Sequence, residues 1–378
     1  MHSNHTVESV LHHDAMSVLL PSFVYISVLI VAGIPGNVIS LLVYGLHLTK
    51  VTGRYALITL AVCDIVNCVL SIPVELYIIT EYWTFANASL CKMSRFMTYA
   101  MNNSSGLILL MIAIERYRAI CLPHKTKIQD WFIQKMCVSL VIAGTFLALP
   151  ALIIYGIQTD VAHTVDADDH IELLKSDVHT RSLGNFTMTS TNVDYVITKR
   201  CLIDDAWRGT AFAYSHFAFV SIASVLVLLI LIVLYAQIGR KIATLRVLNI
   251  SHSDQKQLRM SKKKKKQATL ILFLITLAFQ FSFIPFIIIT NIRFFTEPEW
   301  YNNLSNAGKI VYHIFLRSYY FNCAVNPFIY CLSSGQFRTA VKKIFNNTIE
   351  HVNIVMCGGV RNNACCVKNG NGKSIVAN

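Results

Sequence analysis

Hydrophobic positions along this chain gather into seven runs, near 20–46, 55–80, 92–121, 132–156, 209–238, 267–293 and 308–332. Polar and charged side chains dominate the stretches between them. Each run is continuously apolar and long enough for a helix to cross a hydrocarbon core of about 30 Å, which takes roughly 20 residues. Strands of a membrane barrel would instead alternate over about 10 residues, so helices are the reading that satisfies every backbone group in lipid. The pattern predicts an all-α membrane protein, a seven-transmembrane helix bundle. Past the last run, Phe337, Val341, Ile344 and Phe345 recur at helical spacing with Arg338, Lys342 and Lys343 between them. That spacing predicts a short amphipathic helix on the inner membrane face. The expected organisation is a short polar tail (1–19), one transmembrane domain (20–333) and a cytoplasmic amphipathic helix with its tail (334–378). Within the domain lie a long loop, 157–208, and a basic loop, 239–266.

Composition sharpens this picture: 54% of the 378 residues are hydrophobic and 14% charged, an imbalance suited to lipid rather than water. The formal net charge of +13 would suit nucleic acid, but its distribution argues against such a partner. No Lys or Arg precedes Lys50, whereas Arg240 to Lys266 holds ten basic residues against the single acid Asp254. The positive-inside rule places that segment in the cytoplasm and the amino terminus outside. The loop 157–208 is then extracellular, and it is acidic, with Asp166, Asp168, Asp169, Glu172, Asp204 and Asp205. Residues 1–19 lack a basic start followed by an apolar core, so the first span is expected to be the anchor. Of eleven cysteines only Cys91 and Cys201 fall in segments assigned to the outside, where disulfides persist, and they are expected to pair. Asn4, Asn87, Asn185 and Asn303 head glycosylation sequons on the outer side, although Asn249 and Asn346 do so inside. Two cytoplasmic features stay open. Cys357, Cys365 and Cys366 suit either acylation or a plain tail, and Lys262–Lys266 suits selection of a cytoplasmic partner or a basic stop beside anionic lipid.

Polar residues inside the spans ask for a reason, because lipid penalises them. Asp64 stands in the second span. In the third, Thr98, Asn102, Ser105, Leu109, Ile112 and Arg116 step by three or four and share one face, which is expected to point inward. Asn37, Asn322 and Asn326 add polar groups at depths that converge on Asp64. A carboxylate ringed by hydroxyl and amide oxygens suits sodium better than a transition metal, making Asp64 and Ser105 candidate ion ligands; the alternative is a buried hydrogen-bond network without an ion. Glu115, Arg116 and Tyr117 close the third span, where the acid can restrain Arg116. Pro285 and Pro327 each free a carbonyl and are expected to kink the sixth and seventh spans, beside Phe283 and Tyr330 respectively.

Taken in order, GNV at 36–38, LAVCD at 60–64, Cys91, ERY at 115–117, Tyr235, SFIP at 282–285 and NPFIY at 326–330 resemble the rhodopsin-like G-protein-coupled receptors over nearly the whole chain. The resemblance implies a plasma-membrane receptor, not an enzyme, that takes its ligand from outside and engages a heterotrimeric G protein inside. An arrestin and a receptor kinase are further implied partners, with membrane lipid around the bundle. Glu115, Arg116, Tyr117, Tyr235, Phe279, Phe283, Pro285, Asn326, Pro327 and Tyr330 match the activation switch. There are departures: Ser282-Phe283 replaces the usual Cys-Trp, the fourth span lacks its Trp and the fifth its proline. Phe283 has no indole N–H to donate.

Amine receptors of the family carry an aspartate where Thr98 stands, and opsins a lysine where Tyr320 stands, so both subclasses are disfavoured. Pro73, Trp83, Phe85 and the long loop reaching Cys201, which can lie as a hairpin over an open mouth, look more like the peptide-receptor branch. The expected ligand is a neuropeptide or peptide hormone. A lipid or chemosensory ligand is the alternative, and a membrane transporter the alternative from another class. Glu75, Arg95, Thr98, Tyr99, Asn102, Phe283, Phe286, Arg317 and Tyr320 are the candidate pocket residues. Glu75 and Arg317 suit a helix-tying ion pair equally well.

Overall fold

A computed structural model describes residues 2–49, 51, 53–124, 128–164, 171–174, 195–247, 255–296, 299–358, 367–368 and 374–375. Six helical segments among them are long and apolar enough to cross a membrane. The first span lies in α1 (His2–Leu42), which continues into a π-turn at Val43–His47. With no Gly or Pro before Pro21 to stop it, this helix begins well inside the polar tail at 1–19. The second span joins α2 (Arg54–Val66) to α3 (Ile72–Thr80) through a π-turn at Asn67–Ser71. The third, α4 (Ala88–Cys121), starts four residues ahead of its apolar run, because the Asn87 side chain caps it by accepting from the Leu90 N–H at 3.0 Å. The fourth comprises α5 (Asp130–Leu147) and α6 (Leu149–Ile154). The fifth and sixth, α7 (Ala211–Val247) and α8 (Gln255–Phe295), carry helix far into the basic segment 239–266.

Span seven is not one helix. After the four-residue α9 (Glu299–Asn302), α10 (Asn306–Leu316) stops at Arg317, a 3₁₀ turn covers Ser318–Phe321, and α11 (Asn322–Ser333) resumes. The break is not at Pro327, where the sequence predicts a kink; that proline sits within α11. It frees the carbonyl four residues back, Cys323, and Asn37 on span one donates to that carbonyl at 2.6 Å, so the proline is accommodated without ending the helix. The amphipathic helix is α12 (Gly335–Gly358): Phe337 and Ala340 are buried, while Phe345 and Ile349 face outward.

Two apolar clusters fill the bundle. The inner one gathers Leu60, Ile108, Ile112, Ile275, Phe279 and Tyr330; the outer one gathers Ile26, Ile72, Tyr319, Tyr320 and Cys323; Phe283 packs against both. Large apolar side chains on the opposite helix faces, such as Val31, Phe146, Phe281 and Leu332, are exposed, as a lipid-facing surface requires. Gly144 lets span four lie against span three, since a β-carbon there would sit 2.6 Å from the Ser104 backbone nitrogen.

The long outer loop folds back as a sheet. β1 (Tyr155–Thr164) pairs antiparallel with β3 (Tyr195–Ile203) in the register Ile157↔Cys201, and with β2 (Ile171–Leu174) on its other edge. Cys201 is joined by a disulfide to Cys91 in the first turn of α4. A second tether is main-chain: the Lys199 N–H donates to the Trp83 carbonyl at 2.7 Å.

Candidate functional site

An open-topped cavity of about 770 Å³, including the solvent space at its mouth, lies between the outer halves of the spans beneath the hairpin. Glu75, Arg95, Thr98, Tyr99, Asn102, Phe283 and Phe286 line it, seven of the nine residues read from the sequence. Arg317 and Tyr320 do not. Arg317 lies behind Glu75, donating from Nε to Oε1 at 2.8 Å, and Tyr320 is fully buried with its hydroxyl 3.4 Å from Thr98 Oγ1. The break at Arg317 explains the misplacement, because the tighter 3₁₀ turn shifts the helix phase and presents Tyr319 instead. Residues missed from the sequence include Tyr155, Leu202 and Ile203 on the hairpin, Phe217 on span five, and Thr290 and Arg293 on span six. Helical spacing from Phe286 would have found the last two; nothing local marks the hairpin residues.

Glu75 is buried at 1% exposure between two cations. Arg95 Nη1 lies 2.8 Å from Oε2, an ion pair outside hydrogen-bond alignment, while Arg317 Nε takes Oε1. The ion pair with Arg317 therefore exists, but as half of a triad that ties spans two, three and seven. Arg293 also lines the cavity, so among the described residues the pocket and its immediate backing hold three guanidiniums, those of Arg95, Arg317 and Arg293, against the one carboxylate of Glu75, and the outer pocket carries surplus positive charge. At its floor Asn102 Oδ1 is buried without a partner, as is Thr290 Oγ1 on the wall. The arrangement suits a ligand with an anionic group and polar hydrogens.

Above the cavity the hairpin is braced by charge. Arg208 Nη1 lies 2.9 Å from Asp160, which Arg200 and Gln158 also contact, and the Arg200 guanidinium sits over the Trp83 ring at 5.2 Å. Burial pushes the Asp160 carboxyl up, but Arg200 and then Arg208 outweigh it and hold it below the ordinary carboxylate range.

Below the cavity runs a seam of buried groups. Thr98, Asn102, Ser105, Leu109, Ile112 and Arg116 are all buried, so the expected inward face of span three is inward along its whole length. Phe283 stacks on Phe279 at 4.9 Å, and Gly106 makes room for the Phe279 ring, whose Cζ would lie 3.3 Å from a β-carbon there. Pro285 lies within the unbroken α8 just beyond, and Ser318 Oγ donates to the Ser282 carbonyl at 2.6 Å. Asp64 accepts from Asn326 at 2.8 Å and Asn322 at 3.4 Å, and the two Asn Oδ1 atoms are left without partners. Asn37 does not reach Asp64, being engaged by the Cys323 and Gly33 carbonyls, and no hydrogen bond joins Ser105 to it among the described residues. These are hard oxygen donors, in keeping with a sodium ion.

At the inner end Arg116 pairs with its neighbour Glu115 at 2.6 Å beside half-buried Tyr117. Gly53, at φ 81°, brings the start of α2 against this pair where a side chain would be strained. Tyr235 links span five to six through Thr276 Oγ1 at 3.0 Å and the Leu272 carbonyl at 3.3 Å. Tyr330 is buried edge-on against Tyr44 at 5.3 Å. Of the sequons, Asn87 and Asn303 are exposed, whereas Asn185 and the side chain of Asn4 lie outside the described residues, as do Cys365, Cys366 and the side chains of Cys357 and Lys262–Lys265.

Comparison with known proteins covers the same span as this seam. Residues 36–172 and 180–330 match the profile of the 7 transmembrane receptor (rhodopsin family). Neurotensin receptor type 1 of Mus musculus is 23% identical over 365 residues, covering 92% of this chain and 79% of its own length. Neuromedin-U receptor 2 of Mus musculus is 24% identical over 86% of this chain and 75% of its own. Growth hormone secretagogue receptor type 1 of Rattus norvegicus is 25% identical over 84% and 78%.

Proposed function

Because the chain belongs to the rhodopsin family of seven-transmembrane receptors, and is thereby a multi-pass membrane receptor rather than an enzyme or a transporter, we propose that it is a cell-surface receptor for an extracellular peptide bearing an acidic group. Occupancy of the outer pocket is passed to a heterotrimeric G protein at the inner face. The observation that carries the ligand class is the surplus of guanidinium over carboxylate around an open cavity roofed by a tethered hairpin. Similarity to the neurotensin and neuromedin-U receptors favours a neuropeptide over a lipid or odorant. Charged pockets of this kind recognise carboxylates through paired, charge-assisted hydrogen bonds.

The amino terminus lies outside, in keeping with the basic segment Arg240–Lys266, and Asn4, Asn87, Asn185 and Asn303 are its glycosylation sites. Asp64 would hold an allosteric sodium ion, helped by the oxygens of Asn322, Asn326 and Ser105, and such an ion would supply the positive charge that this carboxylate and these amide oxygens lack. Receptor kinase and arrestin act on the cytoplasmic tail, and α12 rests on lipid.

A peptide library applied to cells that carry the receptor and a promiscuous G protein tests the ligand class. Active peptides are expected to be acidic or to end in a free carboxylate, and Arg293→Gln is expected to weaken their potency about tenfold or more while leaving the maximal response. Responses to lipids or odorants alone would overturn the reading.

A further inference from the structure

A helix leaves its last carbonyls without partners inside the helix. At the inner end of span seven, three consecutive ones are taken by side chains. Arg338 Nη1 donates to the Cys331 carbonyl at 2.8 Å and the Leu332 carbonyl at 3.0 Å, and Gln267 Nε2 donates to the Ser333 carbonyl at 2.7 Å. Arg338 belongs to α12, the next element along the chain, so its bonds are local. Gln267 belongs to the inner part of span six and reaches across the bundle.

The charges nearby give this bond its meaning. No acid stands between Asp254 and Glu297, so span six has no carboxylate of its own with which to hold Arg116. Instead Lys262–Lys266 directly precede Gln267, and like charge at the inner ends of spans three and six favours separation. Arg116 is restrained within its own helix by Glu115. Among the hydrogen bonds of the described residues, the one that joins the inner ends of spans six and seven is a neutral donor meeting the negative end of a helix. The Tyr235 bonds do not serve here, because they link span six to span five and survive any movement of those two together.

We infer that Gln267 is a latch: a positioning residue that holds the inner end of span six on the carbonyl end of span seven in the resting receptor, and whose release accompanies opening of the G-protein cleft. The inference rests on G-protein coupling and is independent of which ligand fills the outer pocket.

Full-length receptor in nanodiscs, without ligand, is mixed with a purified heterotrimer and nucleotide exchange is followed. Gln267→Leu removes the donor, Gln267→Glu replaces it with an acceptor that the Ser333 carbonyl repels, and Gln267→Lys keeps a donor. Basal exchange is expected to rise roughly two- to tenfold for the leucine and glutamate variants, the range that one net hydrogen bond allows, and to stay near wild type for lysine. Amide hydrogen exchange over 268–272 and 331–336, measured without G protein, should quicken in the same two variants. Unchanged exchange, an equal change in all three, or a fall that marks Gln267 as a G-protein contact would overturn the latch. Absence of exchange in the wild type even with active peptide would instead count against the receptor reading.

Discussion

A carboxylate inside a membrane is costly unless something compensates it, and Glu75 and Asp64 are compensated in different ways. Glu75 has two guanidiniums, and removing it would leave both uncompensated. Asp64 has two neutral amides, whose own oxygens are left over. The proposed sodium ion would complete that second arrangement, so Asp64→Asn is expected to abolish the sodium dependence of peptide affinity, read as binding curves in sodium against an organic cation of equal ionic strength. An unchanged salt response would remove the ion from the account. At this scale the sequence was legible where a helix is regular: the six positions of span three, from Thr98 to Arg116, could be placed inward from spacing alone. It was not legible past Arg317, where a break in the helix puts Tyr319 rather than Tyr320 against the cavity. Nor could spacing say which of several buried amides would meet Asp64, since Asn37 is drawn off by the carbonyl that Pro327 frees.

Helices carried most of the legible information, because lipid forces every crossing segment to satisfy its own backbone. The break in span seven and the π-turns were hidden, since they depend on neighbours rather than on composition. The hairpin is the element whose stability is most open to test. Asp160 is held below the ordinary carboxylate range by Arg200 and Arg208, so its folded value lies under its unfolded one. The stabilisation is then complete above the usual Asp range near ~3.9 and is lost as pH falls through the lower folded value. Asp160→Asn is expected to lower the stability of purified receptor by on the order of 3 kcal/mol at neutral pH, with the gap to wild type constant down to about pH 5 and closing below about pH 4. A gap that closed near pH 6 would mean that some other group carries the effect.

For the whole molecule, the two apolar clusters meet at Phe283, which lines the outer cavity and stacks on Phe279 above the inner face. That ring touches both the cavity and the inner cluster, which makes its movement the proposed route from pocket to cleft. The central claim is that filling the outer pocket opens the inner cleft. Peptide-stimulated nucleotide exchange tests it most directly, with purified receptor in nanodiscs, purified heterotrimer, and an active peptide added at saturation. The account predicts that exchange accelerates with peptide, and that Arg116→Gln removes the acceleration while peptide still binds. Peptide that binds at saturation without changing the exchange rate of the wild-type receptor would contradict it.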